Sequence, residues 1–204
     1  MTIAERSPTS RRSFDGLRRL HVGCGSVVPH GWFNSDIMIL PGIDICFDMR
    51  QAIPIRTASV DYATSQHALQ QLRIEDIVEA LKELYRVLKP GGVLRLCLPD
   101  FDKAVVAYQR GGTEDLWCWD WNSTSGNLIS QIIDCNSTRT PLTADWTEEL
   151  LKVGDFDVVQ HVSFMKTASR HDDITTLDSR PDESFCIEGF KVTSAAADPM
   201  AGAS

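Results

Sequence analysis

Three stretches carry residue types that can do chemistry. Gly23-Cys24-Gly25 follows directly on the apolar run Leu17 to Val22. A Gly-x-Gly at the end of a short strand lets a ligand approach the backbone where a side chain would block it. The dinucleotide pattern Gly-x-Gly-x-x-Gly is incomplete, because Val28 stands where the third glycine would be, and this argues against a nicotinamide or flavin enzyme. Asp48 closes the strand-like run Ile43-Asp44-Ile45-Cys46-Phe47. Its carboxylate can face a ligand or simply cap the turn that follows. His67 lies in Ser65-Gln66-His67-Ala68; an imidazole titrating near 6.5 suits proton removal at neutral pH, and packing or capping is the alternative. His171-Asp172-Asp173 lacks the second ligand cluster that a metal site needs, so no metal is expected.

These residues need a scaffold, and the clearest part of it runs from Ile74 to Asp100. Ile74, Ile77, Val78, Leu81, Leu84, Tyr85 and Leu88 recur at helical spacing and give one apolar face. Acids come early and bases late, as the helix dipole favours. Pro90-Gly91-Gly92 predicts a helix end near Lys89 and a tight turn. Val93 to Leu98 then reads as an interior strand stopped by Pro99. A helix feeding an apolar strand is half of a parallel α/β unit.

The segment Arg86-Val-Leu-Lys-Pro-Gly-Gly-Val-Leu-Arg-Leu96 resembles the helix-turn-strand before the fifth strand of Rossmann-like S-adenosylmethionine-dependent methyltransferases. Leu20-His21-Val22-Gly23-Cys24-Gly25 with Gly31-Trp-Phe-Asn-Ser-Asp36 is similar to one group of small bacterial enzymes of that family, as is Arg180-x-x-Glu183-Ser-Phe. The resemblance covers about residues 17 to 192. It implies an α/β fold with a seven-stranded, mostly parallel sheet and an antiparallel C-terminal strand. It also implies S-adenosylmethionine as cofactor, held by His21, Gly23, Cys24, Gly25, Asp36, Ile37, Asp48, Met49, Ser65 and Gln66. By the same resemblance, Asp36 takes the ribose hydroxyls, Asp48 and Met49 lie beside the adenine, and Ser65 and Gln66 flank the methionine end. His67 is the first candidate base and His161 the second. Two departures stand out. His21 occupies a position where the family usually has an acid, and Gln66 and Gln71 replace the acid and second histidine expected around His67. Only ten residues separate Gly25 from Asp36, which predicts a turn or loop in place of the usual crossover helix.

The remaining organisation is read from composition and pattern. The 204 residues suit one α/β domain. A formal net charge of −8 and no basic patch argue against nucleic acid as partner. No apolar run approaches a membrane span, and the polar N-terminus lacks a secretory core, so the cytoplasm is expected. Six cysteines without a Cys-x-x-Cys pair predict reduced core thiols and no disulfide framework. Residues 1–16 and 193–204 read as disordered tails, and 165–180 as a mobile polar loop. Asp100 to Tyr108 and the stretch from Thr143 read as helices, and 155–163 and 183–191 as the last two strands. Within 113–142, Trp117, Trp119 and Trp121 suit an aromatic-walled acceptor lid or an amphipathic cover. The expected function is methyl transfer to an O or N nucleophile of a small metabolite, in biosynthetic or secondary metabolism, by a monomer or homodimer. The alternatives are a methyltransferase fold running another reaction on the same cofactor, such as a cyclisation, and a degenerate partner subunit.

Overall fold

The computed structural model describes residues 16–111, 130, 133 and 137–193. The Trp117–Trp121 cluster and the two predicted tails fall outside the described residues, Gly16 and Thr193 apart. Seven strands form one sheet in the order β3-β2-β1-β4-β5-β7-β6: β1 Arg19–Val22, β2 Trp32–Asp36, β3 Ile45–Cys46, β4 Val60–Gln66, β5 Leu88–Pro99, β6 Val158–Val162 and β7 Ser184–Phe190. All pairings are parallel except those of β7, which runs antiparallel to both β5 and β6. The expected fold class is therefore the observed one.

One face of the sheet is covered by helices. Leu20, Val22, Ala63, Leu94, Leu96, Leu98 and Ile187 point to it and pack against α1 (Ile74–Val87) and α3 (Ala144–Val153). The apolar face of α1 at helical spacing becomes Ile77, Ala80, Leu81, Leu84 and Val87, all fully buried. Burial of each of the Ile, Leu and Val side chains is worth roughly 1.5–3 kcal/mol. α2 (Phe101–Arg110) starts at Asp100, whose side chain accepts from the Lys103 amide, and ends at Gly111 in a left-handed conformation. The helix before β5 ends at Val87, earlier than the proline predicts. β5 begins at once, and Pro90-Gly91-Gly92 forms an irregularity in its pairing with β4. Gly92 is required there, since a Cβ would stand 2.8 Å from the Lys89 carbonyl.

The opposite face is covered by the connection between β6 and β7, and here the expectation of a mobile loop is corrected. Residues 163–183 cross the sheet as a strap containing a 3-10 turn at Asp172–Leu177. Arg95, fully buried in the middle of β5, holds it. Its Nε donates to Asp178 Oδ1 (2.7 Å) and Nη2 to Asp178 Oδ2 (2.5 Å). Nη1 donates to Glu188 Oε1 (2.7 Å) and to the Lys166 carbonyl (2.8 Å), and Nη2 also reaches the Ser163 carbonyl (3.4 Å). All five guanidinium N–H groups are thus used. Glu188 in turn accepts from Thr167 Oγ1 and the Ala168 amide, and Asp178 accepts from the Met165 amide. Further along the strap Ile174 packs with Trp32, Tyr62 and Val93, and Asp173 takes hydrogen bonds from Arg19 and Tyr62.

Cys97 and Cys186 face each other across β5 and β7 and form a disulfide, which corrects the expectation of reduced thiols. The Asp100 amide bonds to the Glu183 carbonyl three pairs further on, so Cys97 and Cys186 form a non-hydrogen-bonded pair, where Cα atoms come closest. Cys24 and Cys46 are free.

His21 lies on the strap face, fully surrounded beside Asn34. Burial pushes its pKa down from 6.5 to about 4 against the smaller opposing effects of Val27, Asn34 and Asp36. The unfolded chain binds this proton below pH 6.5 and the folded one only near pH 4, so stability falls as pH drops through that window. The expected loss is about 3 kcal/mol, at roughly 1.4 kcal/mol per pH unit between the two values. Urea denaturation at pH 7 and pH 4.5 checks it. A His21→Gln variant should show a flatter dependence, and an equally steep one would assign the acid loss to other groups.

Candidate active site

The strand order reverses between β1 and β4, and the ends of the strands at such a switch point leave a crevice. A cavity of about 430 Å³ opens there. Val22, Gly23 and Gly25 form one wall, Ser35, Asp36, Ile37 and Met38 the floor, and Phe47, Asp48 and Met49 the far end. Ala68, Arg73 and Arg139 stand on the opposite rim. Arg139 is placed by the Gln70 carbonyl, which accepts from the amides of Arg139 and Thr140. Hydrogen bonding of Thr140 Oγ1 to the Leu72 carbonyl completes this clasp.

The glycine loop is tied to β2 by Asp36, which is nearly buried. Its Oδ2 accepts from the Gly25 amide (2.8 Å) and its Oδ1 from the Met38 amide (3.0 Å). Each oxygen keeps a further acceptor direction, so the carboxylate can still take ligand hydroxyls. Gly23 sits at φ +64°, and a Cβ there would lie 2.4 Å from that of Ala68. This position therefore admits only glycine without a shift. Residues 23–31 contain turns and no helix, as the short spacing predicts, so no helix starts directly after the glycine loop. Asp48 closes the other end. Its oxygens accept from the amide, Nε and Nη2 of Arg50, and that guanidinium holds the Asp48 carboxyl below the usual carboxylate range. It lines the cavity and caps its own turn together.

Six of the sequence-predicted binding residues come together at the cavity: Gly23, Gly25, Asp36, Ile37, Asp48 and Met49. Four do not line it: His21, Cys24, Ser65 and Gln66. Alternation along β1 sends His21 to the strap face when Val22 points to the cavity. Cys24 is buried, and burial, aided by Asp36, pushes its thiol up to about 11. Ser65 is buried in register with Val22, and its hydroxyl has no protein partner. Sequence reasoning missed several lining residues, among them Met38, Phe47, Arg50, Arg73, Asp76 and Arg139. Period-2 alternation from Ile45 would have found Phe47; nothing local pointed to Arg139.

Residues 20–96 match a family model described as a methyltransferase domain. The chain's fold is similar to a S-adenosylmethionine-dependent methyltransferase of Thermotoga maritima, described as a possible histamine N-methyltransferase (TM-score 0.56, 17% identity, 85% of this chain and 82% of that one). It is equally similar to a S-adenosylmethionine-dependent methyltransferase of Archaeoglobus fulgidus (TM-score 0.56, 15% identity, 87% and 88% covered). An uncharacterized 37.1 kDa protein in transposon TN4556 of Streptomyces fradiae is 33% identical over 69 residues, which span 34% of this chain and 19% of that protein.

His67 follows β4 in a left-handed conformation, φ +49°. Its amide bonds to the Cys97 carbonyl, and its own carbonyl accepts from Gln70 and Gln71. Gln71, which replaces the expected histidine, thus steadies the backbone of His67. The ring reaches over β5: Nε2 lies 2.7 Å from Ser184 Oγ and Nδ1 lies 3.2 Å from Arg180 Nη1. A guanidinium can only donate, so Nδ1 is the acceptor and Nε2 carries the proton. Ser184 then passes its own proton towards the Ser179 carbonyl (3.5 Å). His161 is not at the cavity. It sits on β6 at the far edge of the sheet and pairs with Glu148 of α3 at 2.7 Å.

Proposed function

We propose that the protein transfers the methyl group of S-adenosylmethionine to an oxygen or nitrogen of a small molecule. The observation that carries this reading is the cavity at the β1–β4 switch point, with an Asp36-anchored glycine loop at one end and Asp48-Met49 at the other. The spare acceptor directions of Asp36 fit a polar, hydroxyl-bearing cofactor. The short insertion between β5 and β6 favours a small acceptor over a protein or RNA.

The cofactor supplies an electrophilic methyl whose thioether leaving group needs no protonation. The chain must hold the acceptor in line and exclude water. In our reading Asp36 holds the ribose, Asp48 and Met49 border the adenine, and Ile37 and Met38 give the ring an apolar floor. His67 takes the acceptor proton at Nδ1 once Arg180 swings away, while Ser184 keeps Nε2 protonated. Arg180 is the movable partner, because its side chain is about half exposed and that of Ser184 is buried. The occupied ring of His67 favours a second reading, cofactor chemistry that needs no base.

Incubation with methyl-labelled cofactor and a panel of phenols, carboxylic acids and amines tests the reaction, with release of S-adenosylhomocysteine as readout. Acceptor-dependent release supports transfer, and tight binding without any release selects the second reading. Asp36→Ala should weaken S-adenosylhomocysteine binding by about 1.5–3 kcal/mol. Unchanged affinity in a folded variant would remove Asp36 from the site.

A further inference from the structure

A second cavity, of about 540 Å³, lies on the helix face at the opposite ends of β1, β2 and β3. It is bordered by the 47–59 crossover from β3 to β4, which contains no helix. The two cavities run end to end. Leu20, Phe33 and Ile45 line this groove, and Val22, Ser35 and Phe47, two residues further along each strand, line the cofactor site. Two residues of strand separate them, about 6.6 Å.

The groove wall is built firmly. Pro54 and Ile55 form it, and two charged side chains of α1 pin their backbone. Arg86 donates to the carbonyls of Ile53 (2.9 Å) and Ile55 (3.0 Å), and Glu83 accepts from the Ile53 amide (2.8 Å). Arg86 and Glu83 are paired with each other. The amides of Ala58 and Ser59 bond to the last carbonyls of α1.

The lining is apolar with a charged mouth. Arg18 and Arg56 are exposed there, and no acidic residue among the described ones lines the groove, although the chain carries a net charge of −8. Asp61, the acid that takes the Arg18 amide, is already paired with Lys89. Two cations over an apolar floor match a ligand with an apolar body and an anionic head. We propose that this groove binds a free amphiphilic anion of the acyl carboxylate kind, separately from the cofactor.

Calorimetric titration of the full chain with dodecanoate below its aggregation concentration tests this, with dodecyltrimethylammonium as the cationic control. The expected result is one equivalent bound at micromolar affinity, no binding of the control, and no change on saturation with S-adenosylhomocysteine. The Arg18→Glu/Arg56→Glu variant should bind about tenfold more weakly with an unchanged thermal midpoint, both side chains being exposed. Four results would overturn the proposal: no binding, equal binding of the cation, loss of dodecanoate by competition with S-adenosylhomocysteine, or an affinity indifferent to charge reversal. Binding confined to anionic phospholipid vesicles would also overturn it, by assigning the cations to a membrane surface.

Discussion

Arg95→Met is expected to destabilise the fold by about 3–5 kcal/mol. The guanidinium is fully buried and satisfies two buried carboxylates, those of Asp178 and Glu188. Removing it leaves two uncompensated negative charges beneath the strap and frees the carbonyls of Ser163 and Lys166. Chemical denaturation gives the magnitude. Adding Asp178→Asn and Glu188→Gln to the same variant should recover part of the loss, because a neutral site no longer buries charge. A single variant within about 1 kcal/mol of wild type would mean that the strap is held by its apolar contacts, Ile174 against Trp32 and Tyr62.

The second large effect concerns turnover. If His67 takes the acceptor proton, His67→Ala should lower kcat by about 10²–10⁴-fold while S-adenosylhomocysteine binding changes little, since the ring does not line the cofactor cavity. Ser184→Ala leaves the ring in place but removes the group that fixes its tautomer. A fall in kcat and a displaced pH profile are expected, with KM for the cofactor unchanged. Wild-type turnover in His67→Ala, with any acceptor that releases S-adenosylhomocysteine, would leave His67 as the cap of the β4 loop.

The sequence made the sheet legible wherever structure depends on near neighbours. The apolar spacing of α1, the Asp100 and Thr143 caps and the Gly23-Cys24-Gly25 loop are local signals, and each sits where such signals place it. β3 is shorter than its apolar run. The Asp44 carboxylate takes the Asn34 amide (2.9 Å), so ladder pairing begins only at Ser35 and Ile45. The strap was illegible because its anchor is remote. Arg95 sits between apolar neighbours in β5, and its partner Asp178 lies 83 residues away; read alone, 165–180 is only a polar loop. The Cys97–Cys186 pairing depends in the same way on the register of β5 with β7. At the site, the glycines and acids were found from their positions at strand ends. The Arg139 contribution depends on the Gln70 clasp, a tertiary contact without a sequence signature.

On this reading the cavity at the β1–β4 switch point holds S-adenosylmethionine. Calorimetric titration with S-adenosylhomocysteine, with NAD as the control, tests it most directly. One equivalent of S-adenosylhomocysteine bound at micromolar affinity, with no heat from NAD, is the expected result. Absence of S-adenosylhomocysteine binding by the folded protein would contradict it and leave a methyltransferase fold without its cofactor.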